Sequence, residues 1–118
     1  MDRKAIKRLW LTKLKDKALR CALCGCLIEA RKDLNADHYF TPKSQGGASD
    51  ETNLRPVHKW CNTARADHSL KDWNAHGAEY LARLATTWKN HRVKYNAIKV
   101  AKSIANLIKE TQRNRTMG

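Results

Sequence analysis

The apolar residues of this chain fall into two helical stretches and one interrupted centre. Near the start, Ile6, Leu9, Trp10 and Leu14 recur at helical spacing, with Lys4, Arg8 and Lys15 on the opposite face and Asp2 placed to cap the first turn. Beyond Pro56 there is no further proline, and Gly77 is the last glycine before the terminal one. Leu81, Leu84 and Trp88, with Ala85 between them, define the face of a helix starting near Asn74–Ala78. A further apolar stripe, Ala97, Val100, Ala101, Ile104, Leu107 and Ile108, points almost opposite to the first at 100° per residue. Either the helix breaks between Lys89 and Lys94, or one long helix packs on different partners at its two ends. Arg92, Lys99, Lys102 and Lys109 lie opposite the second stripe; such a basic stripe is either a solvated surface or a polyanion contact.

The centre reads differently. Leu34–Phe40 is strand-like and ends in Thr41-Pro-Lys43-Ser-Gln-Gly46-Gly47, a run of turn residues. Asn53–Val57 returns as a short strand, with Pro56 marking an edge, and Lys59–Asp67 suits a helix. The expected organisation is therefore a basic N-terminal helix over 1–20, a turn-rich core over 21–74 and a basic helical extension over 75–118.

Charge follows that division. The 118 residues carry a net charge of +13. Residues 1–20 hold eight basic and two acidic side chains, residues 69–118 hold ten and three, and the centre holds six of each. An acidic partner, gripped by the flanks, is the simplest use of that imbalance. No apolar run approaches the roughly 18 residues that span a bilayer, and the N-terminus lacks the apolar stretch and cleavage site of a signal peptide. A soluble, intracellular protein is expected.

All four cysteines lie in the centre. Cys21-Ala-Leu-Cys24 and His58-Lys-Trp-Cys61 are two ligand pairs that can converge on one tetrahedral Zn²⁺. A redox C-x-x-C would want a thioredoxin-like βαβ setting, and buried free thiols are the other alternative. A 48-residue centre buries too little core to stand alone, so a metal staple is physically reasonable. Cys26 is left outside the ligand set, and Trp60 is read as packing under it.

Superimposed on the zinc pairs is a second pattern: Asp37-His38, the Pro/Gly loop, Asn53 and Asn62. Together with CALC, NLRPVHKWCN and Arg65, it resembles the HNH endonuclease family, of ββα-metal fold, over residues 21–67. The resemblance implies an α+β, zinc-stapled ββα-metal core flanked by helices. It implies His38 as general base, Asp37 and Asn62 as ligands of a catalytic Mg²⁺ or Mn²⁺, and Asn53 as the residue that ties the loop and orients His38. Two positions depart from the family pattern. Three residues instead of two separate the Asp-His pair from Pro42, and His58 stands where four-cysteine members have cysteine.

The chemistry suits these residue types. Hydrolysis of a phosphodiester needs a base for the attacking water, and histidine, ordinarily titrating near pH 6.5, is such a base. Carboxylate and amide oxygens are hard donors suited to Mg²⁺ or Mn²⁺. One aspartate at the site favours a single-metal scheme. Arg65, three residues after Asn62 on one helix, is placed to hold a phosphate oxygen, with Lys43, Arg92, Lys99 and Lys102 as further DNA contacts. The expected function is a DNA endonuclease. The resemblance extends to small stand-alone phage proteins that assist packaging beside a terminase subunit, acting in the cytoplasm of a bacterial host. The alternatives are a non-catalytic zinc-stapled nucleic-acid-binding module and a protein–protein adaptor using the two apolar stripes.

Overall fold

The computed structural model describes residues 2–90 and 95–117. It is an α+β structure of two antiparallel strands and four helices, in two compact units that divide after Asn62.

The first unit begins with α1 (Arg3–Lys15), capped by Asp2, whose Oδ1 accepts the Ala5 N–H at 2.8 Å. Lys17 ends the helix by adopting φ 56°, an uncommon left-handed conformation for a non-glycine. Ile6 is buried and Trp10, Leu11 and Leu14 are half-buried, whereas Leu9 is exposed. The buried face is thus rotated from the expected one, toward Leu11. Leu19 and Ile28 join it in the core, tied by the Ile28 N–H to Leu19 carbonyl bond across a small hairpin that pairs Arg20 with Leu27.

Strands β1 (Leu34–His38) and β2 (Leu54–His58) pair antiparallel, with Leu34 opposite His58, Asp37 opposite Arg55 and His38 opposite Leu54. Pro56 lacks an N–H to donate, but its carbonyl accepts from Ala22 at 2.9 Å and so joins the small hairpin to the strands. Leu54 and Val57 carry the strands' contribution to the core. The first strand is two residues shorter than expected because Asn53 takes over the chain beyond His38. The Asn53 carbonyl accepts from Tyr39, and its side chain then captures the next two N–H groups. Helix α2 (Lys59–Arg65) follows β2 with no intervening loop and ends two residues early at Ala66, where φ is 47°.

In the second unit, α3 (Leu70–Asn90) starts earlier than its apolar spacing suggests. Ser69 Oγ accepts the Asp72 N–H at 3.1 Å, and the extra turn brings Trp73 into the core. Gly77 makes room for that ring: a Cβ there would lie 2.8 Å from Trp73 Cε2. Helix α4 (Tyr95–Met117) runs back along α3, and Gln112 Nε2 near its end donates to the Asn74 carbonyl near the start of α3 at 2.9 Å. A single continuous helix is excluded by that bond, since 38 residues of α-helix would extend roughly 57 Å. Trp73, Gly77, Ala78, Leu81 and Ala85 face Ile98, Ala101, Ile104 and Ala105 in the core of the pair. Val100 and Leu107, expected on the apolar face, are exposed instead, the stripe being rotated toward Ile98 and Ala105. Among the described residues no helix is long and apolar enough to cross a membrane.

Candidate metal centre and active site

Cys21 and Cys24 sit in the tight turn of the small hairpin, which Gly25 closes at φ 80° while its N–H bonds the Cys21 carbonyl at 2.8 Å. His58 ends β2, and Cys61 lies in the first turn of α2. The strand-to-helix junction thereby delivers its pair to the turn. The four ligand atoms lie within 4.8 Å of one another. His58 Nδ1 is 3.3 Å from Cys24 Sγ and 3.7 Å from Cys61 Sγ, while its Nε2 donates to the Leu27 carbonyl at 3.0 Å. That outer bond fixes the tautomer that leaves the Nδ1 lone pair for a metal. The His58 backbone N–H also reaches Cys21 Sγ at 3.4 Å. Trp60 stacks on the imidazole, ring centroids 4.5 Å apart and planes 15° off parallel.

The three thiols set one another's ionisation. Burial opposes ionisation of Cys21, but hydrogen bonds from Cys24, Cys61 and His58 outweigh it and hold this thiol far below its ordinary value. The bond to Cys21 in turn drives Cys24 up, and bonds to Cys21 and Cys24 drive Cys61 up further. Only one of the three ionises readily by itself, and a bound cation is what would ionise all three. Three sulfurs and one imidazole nitrogen, mostly buried and convergent, fit structural Zn²⁺. Cys26 stays outside the set; its carbonyl accepts the Cys21 N–H.

The second constellation begins where β1 ends. Asp37 is buried, at 7% exposure, and His38 is half-buried with Nε2 3.0 Å from Ser49 Oγ. The loop between the strands is organised by one buried amide. Asn53 Oδ1 accepts the Phe40 and Thr41 N–H groups, both at 2.9 Å, and Nδ2 donates to the carbonyls of Thr41 at 2.8 Å and Ala48 at 3.0 Å. Four side-chain bonds from one residue hold both ends of the loop. Asn62 is half-buried in the first turn of α2, one residue after Cys61, so the zinc centre and this side chain share a helix turn.

Residues 21–68 match the HNH endonuclease family model. No curated protein and no solved structure gives a significant match. The HNH segment thus takes in the metal centre, both strands, the loop and α2.

Within the HNH segment, Lys43 is exposed on the short 3₁₀ turn Lys43–Gln45 that follows Pro42. Arg65 is expected to hold a phosphate oxygen. It is only 3% exposed, and its Nε donates to the His68 carbonyl at 3.2 Å, closing the end of α2. Outside the segment, Lys99 and Lys102 are exposed on α4, and Arg92 lies outside the described residues. Two loop residues do more than the sequence indicates. Ser49 is unremarkable there, because its contact with His38 spans eleven positions. Gly47 resembles a simple turn residue, yet a Cβ at this position would lie 2.0 Å from the Thr41 carbonyl oxygen and 2.8 Å from that of Pro42. Both are backbone atoms with no rotamer to yield. Gly47→Ala is therefore expected to displace the loop and destabilise the protein by about 1–3 kcal/mol, measurable as a lowered melting temperature. An unchanged melting temperature would show that the loop relaxes freely.

Proposed function

We propose that the protein is a metal-dependent HNH endonuclease that hydrolyses DNA phosphodiester bonds, with His38 as general base. The observation that carries this reading is the Asp37-His38 pair at the end of β1, on a loop fastened by four bonds from Asn53 and backed by a Cys₃His metal centre. A module that only bound nucleic acid would have no use for so firmly held an imidazole. Ser49 Oγ lies against Nε2, so Nδ1 is the ring nitrogen left to meet a water. His38 takes the proton from that water as it attacks phosphorus, and the deprotonated 3′ oxygen departs.

Asp37 and Asn62 are the oxygen donors that would hold Mg²⁺ or Mn²⁺, a hard-ligand set that fits such an ion. When bound, the ion supplies charge stabilisation to the phosphate and the leaving oxygen. Exposed Lys43, Lys99 and Lys102 contribute to a salt-sensitive hold on the DNA backbone. Arg65 is left out of that set because its guanidinium is buried. The packaging of phage DNA beside a terminase subunit is one setting in which such an enzyme would act, and nothing in the geometry depends on it.

Incubation with supercoiled plasmid and Mg²⁺ or Mn²⁺ is expected to yield relaxed circles. DNA binding without relaxation under any divalent ion would replace this reading by the non-catalytic zinc-stapled module.

A further inference from the structure

Phe40 is the exposed aromatic of the first unit. The residue is 57% exposed, whereas Trp10 and Tyr39 are half-buried and Trp60 is buried. A phenyl ring left in water forgoes the stabilisation its burial would bring; a single exposed apolar residue is ordinary, and what sets this one apart is how it is held. It is not loose. Its N–H is held by Asn53 Oδ1 at 2.9 Å, in the loop that the same side chain fastens at both ends.

One cation beside it is equally fixed. The Arg55 guanidinium lies over the ring, 5.2 Å from its centroid, and is locked by bonds from its NH1 group to the Glu51 carbonyl at 2.7 Å and the Leu54 carbonyl at 2.8 Å. Tyr39 packs edge-on at 4.9 Å. Arg55 also lines a cavity of about 420 Å³ between α1 and β2, together with Trp10, Lys13, Arg20 and Glu51. Three cations and one anion there favour an anionic occupant. A pre-set aromatic ring beside a fixed arginine that borders a cationic cavity is a combination that receives a nucleobase: the base stacks at the ring and its phosphates meet the charges. Phe40 is two residues from His38, so their Cα atoms are at most about 7 Å apart. That is roughly two base-pair steps of DNA.

We propose that Phe40 and Arg55 form a stacking platform for a nucleobase unstacked beside the scissile phosphate, with Lys13 and Arg20 receiving the adjoining backbone. The inference rests on the nuclease reading for the location of the scissile bond, but the stacking itself does not require cleavage.

Binding is measured with Ca²⁺ in place of Mg²⁺, by fluorescence anisotropy of labelled oligonucleotides in single-stranded and duplex form. An abasic site is walked through each sequence. Phe40→Leu keeps apolar volume but removes the π face, and is expected to weaken binding to intact DNA by about five- to a hundredfold, the effect of one stacked base. At one position the abasic oligonucleotide should bind the native protein as weakly as intact DNA binds the leucine variant, with no further loss when the two changes are combined. Coupling on single strands alone assigns an unpaired strand as the ligand, and coupling on the duplex assigns a base extruded from the helix. Phe40→Trp should retain affinity, and its fluorescence should be quenched on binding. Leucine-variant affinity within twofold of the native value, at unchanged zinc content and melting temperature, would overturn the platform. Coupling in a protein that relaxes no plasmid would leave the platform standing and remove the nuclease reading.

Discussion

His38→Ala is expected to lower plasmid nicking by about 10²- to 10⁴-fold, the usual contribution of a positioned general base. The ring is half-buried at the end of a strand and makes no contact with the metal centre's ligands among its described bonds, so the variant should retain zinc and melt like the native protein. DNA affinity in Ca²⁺ should also be preserved, which places the loss in the chemical step. Ser49→Ala separates positioning from proton transfer. It removes one neutral hydrogen bond, worth about 0.5–1.5 kcal/mol, and leaves the imidazole in place, so the rate should fall only about two- to tenfold. If the alanine variant at position 38 nicks at more than a tenth of the native rate, another group is the base.

How much of this site could be read from residues alone depended on the distance over which each interaction is specified. The metal ligands lie in two short pairs whose internal spacing is set by one turn and one strand–helix junction, so they were readable before folding was considered. The Leu27 carbonyl that fixes the His58 tautomer was not, because 31 positions separate the two. Nor could the backbone crowding at Gly47 be read, since it exists only after the loop has closed. Helix existence was readable, but helix rotation was less so. In α4, apolar residues occupy three neighbouring columns, and the periodicity of Val100 and Leu107 is as good as that of Ile98 and Ala105. The facing helix chose between them: Ala101 and Ala105 are small enough for α3 to approach, which turns Val100 and Leu107 outward. The early start of α3 carried a signal that apolar spacing does not register, since Ser69 precedes Asp72 by three residues, the spacing of a capping box. For Arg65, spacing was silent on burial. Helical spacing placed it beside Asn62, but spacing does not say that α2 stops at Ala66 and that the arginine is spent on closing it.

Removal of the structural metal is expected to unfold the first unit. Its core is small: Ile6, Leu19, Ile28, Leu54 and Val57 are its buried aliphatic side chains, held by a two-stranded sheet that is marginal by itself. Structural zinc contributes on the order of 10–16 kcal/mol of apparent binding free energy in small fingers, as much as the whole stability of a typical domain. The four ligands also join the turn at Cys21–Cys24 to the junction of β2 and α2, which are otherwise linked by the Ala22 N–H to Pro56 carbonyl bond and the His58 N–H to Cys21 Sγ contact. Cys61→Ala should therefore behave like chelation: loss of bound zinc, collapse of the near-ultraviolet circular dichroism of Trp10 and Trp60, and loss of nicking. Cys26→Ser should do none of these, because that thiol is outside the set. Cobalt substitution supplies an independent check, since a Cys₃His site should show tetrahedral d–d absorption and thiolate charge-transfer bands that Cys26→Ser leaves unchanged. A Cys61→Ala protein that melts at the native temperature would show that the sheet and α1 are self-sufficient and that the metal does not hold this unit together.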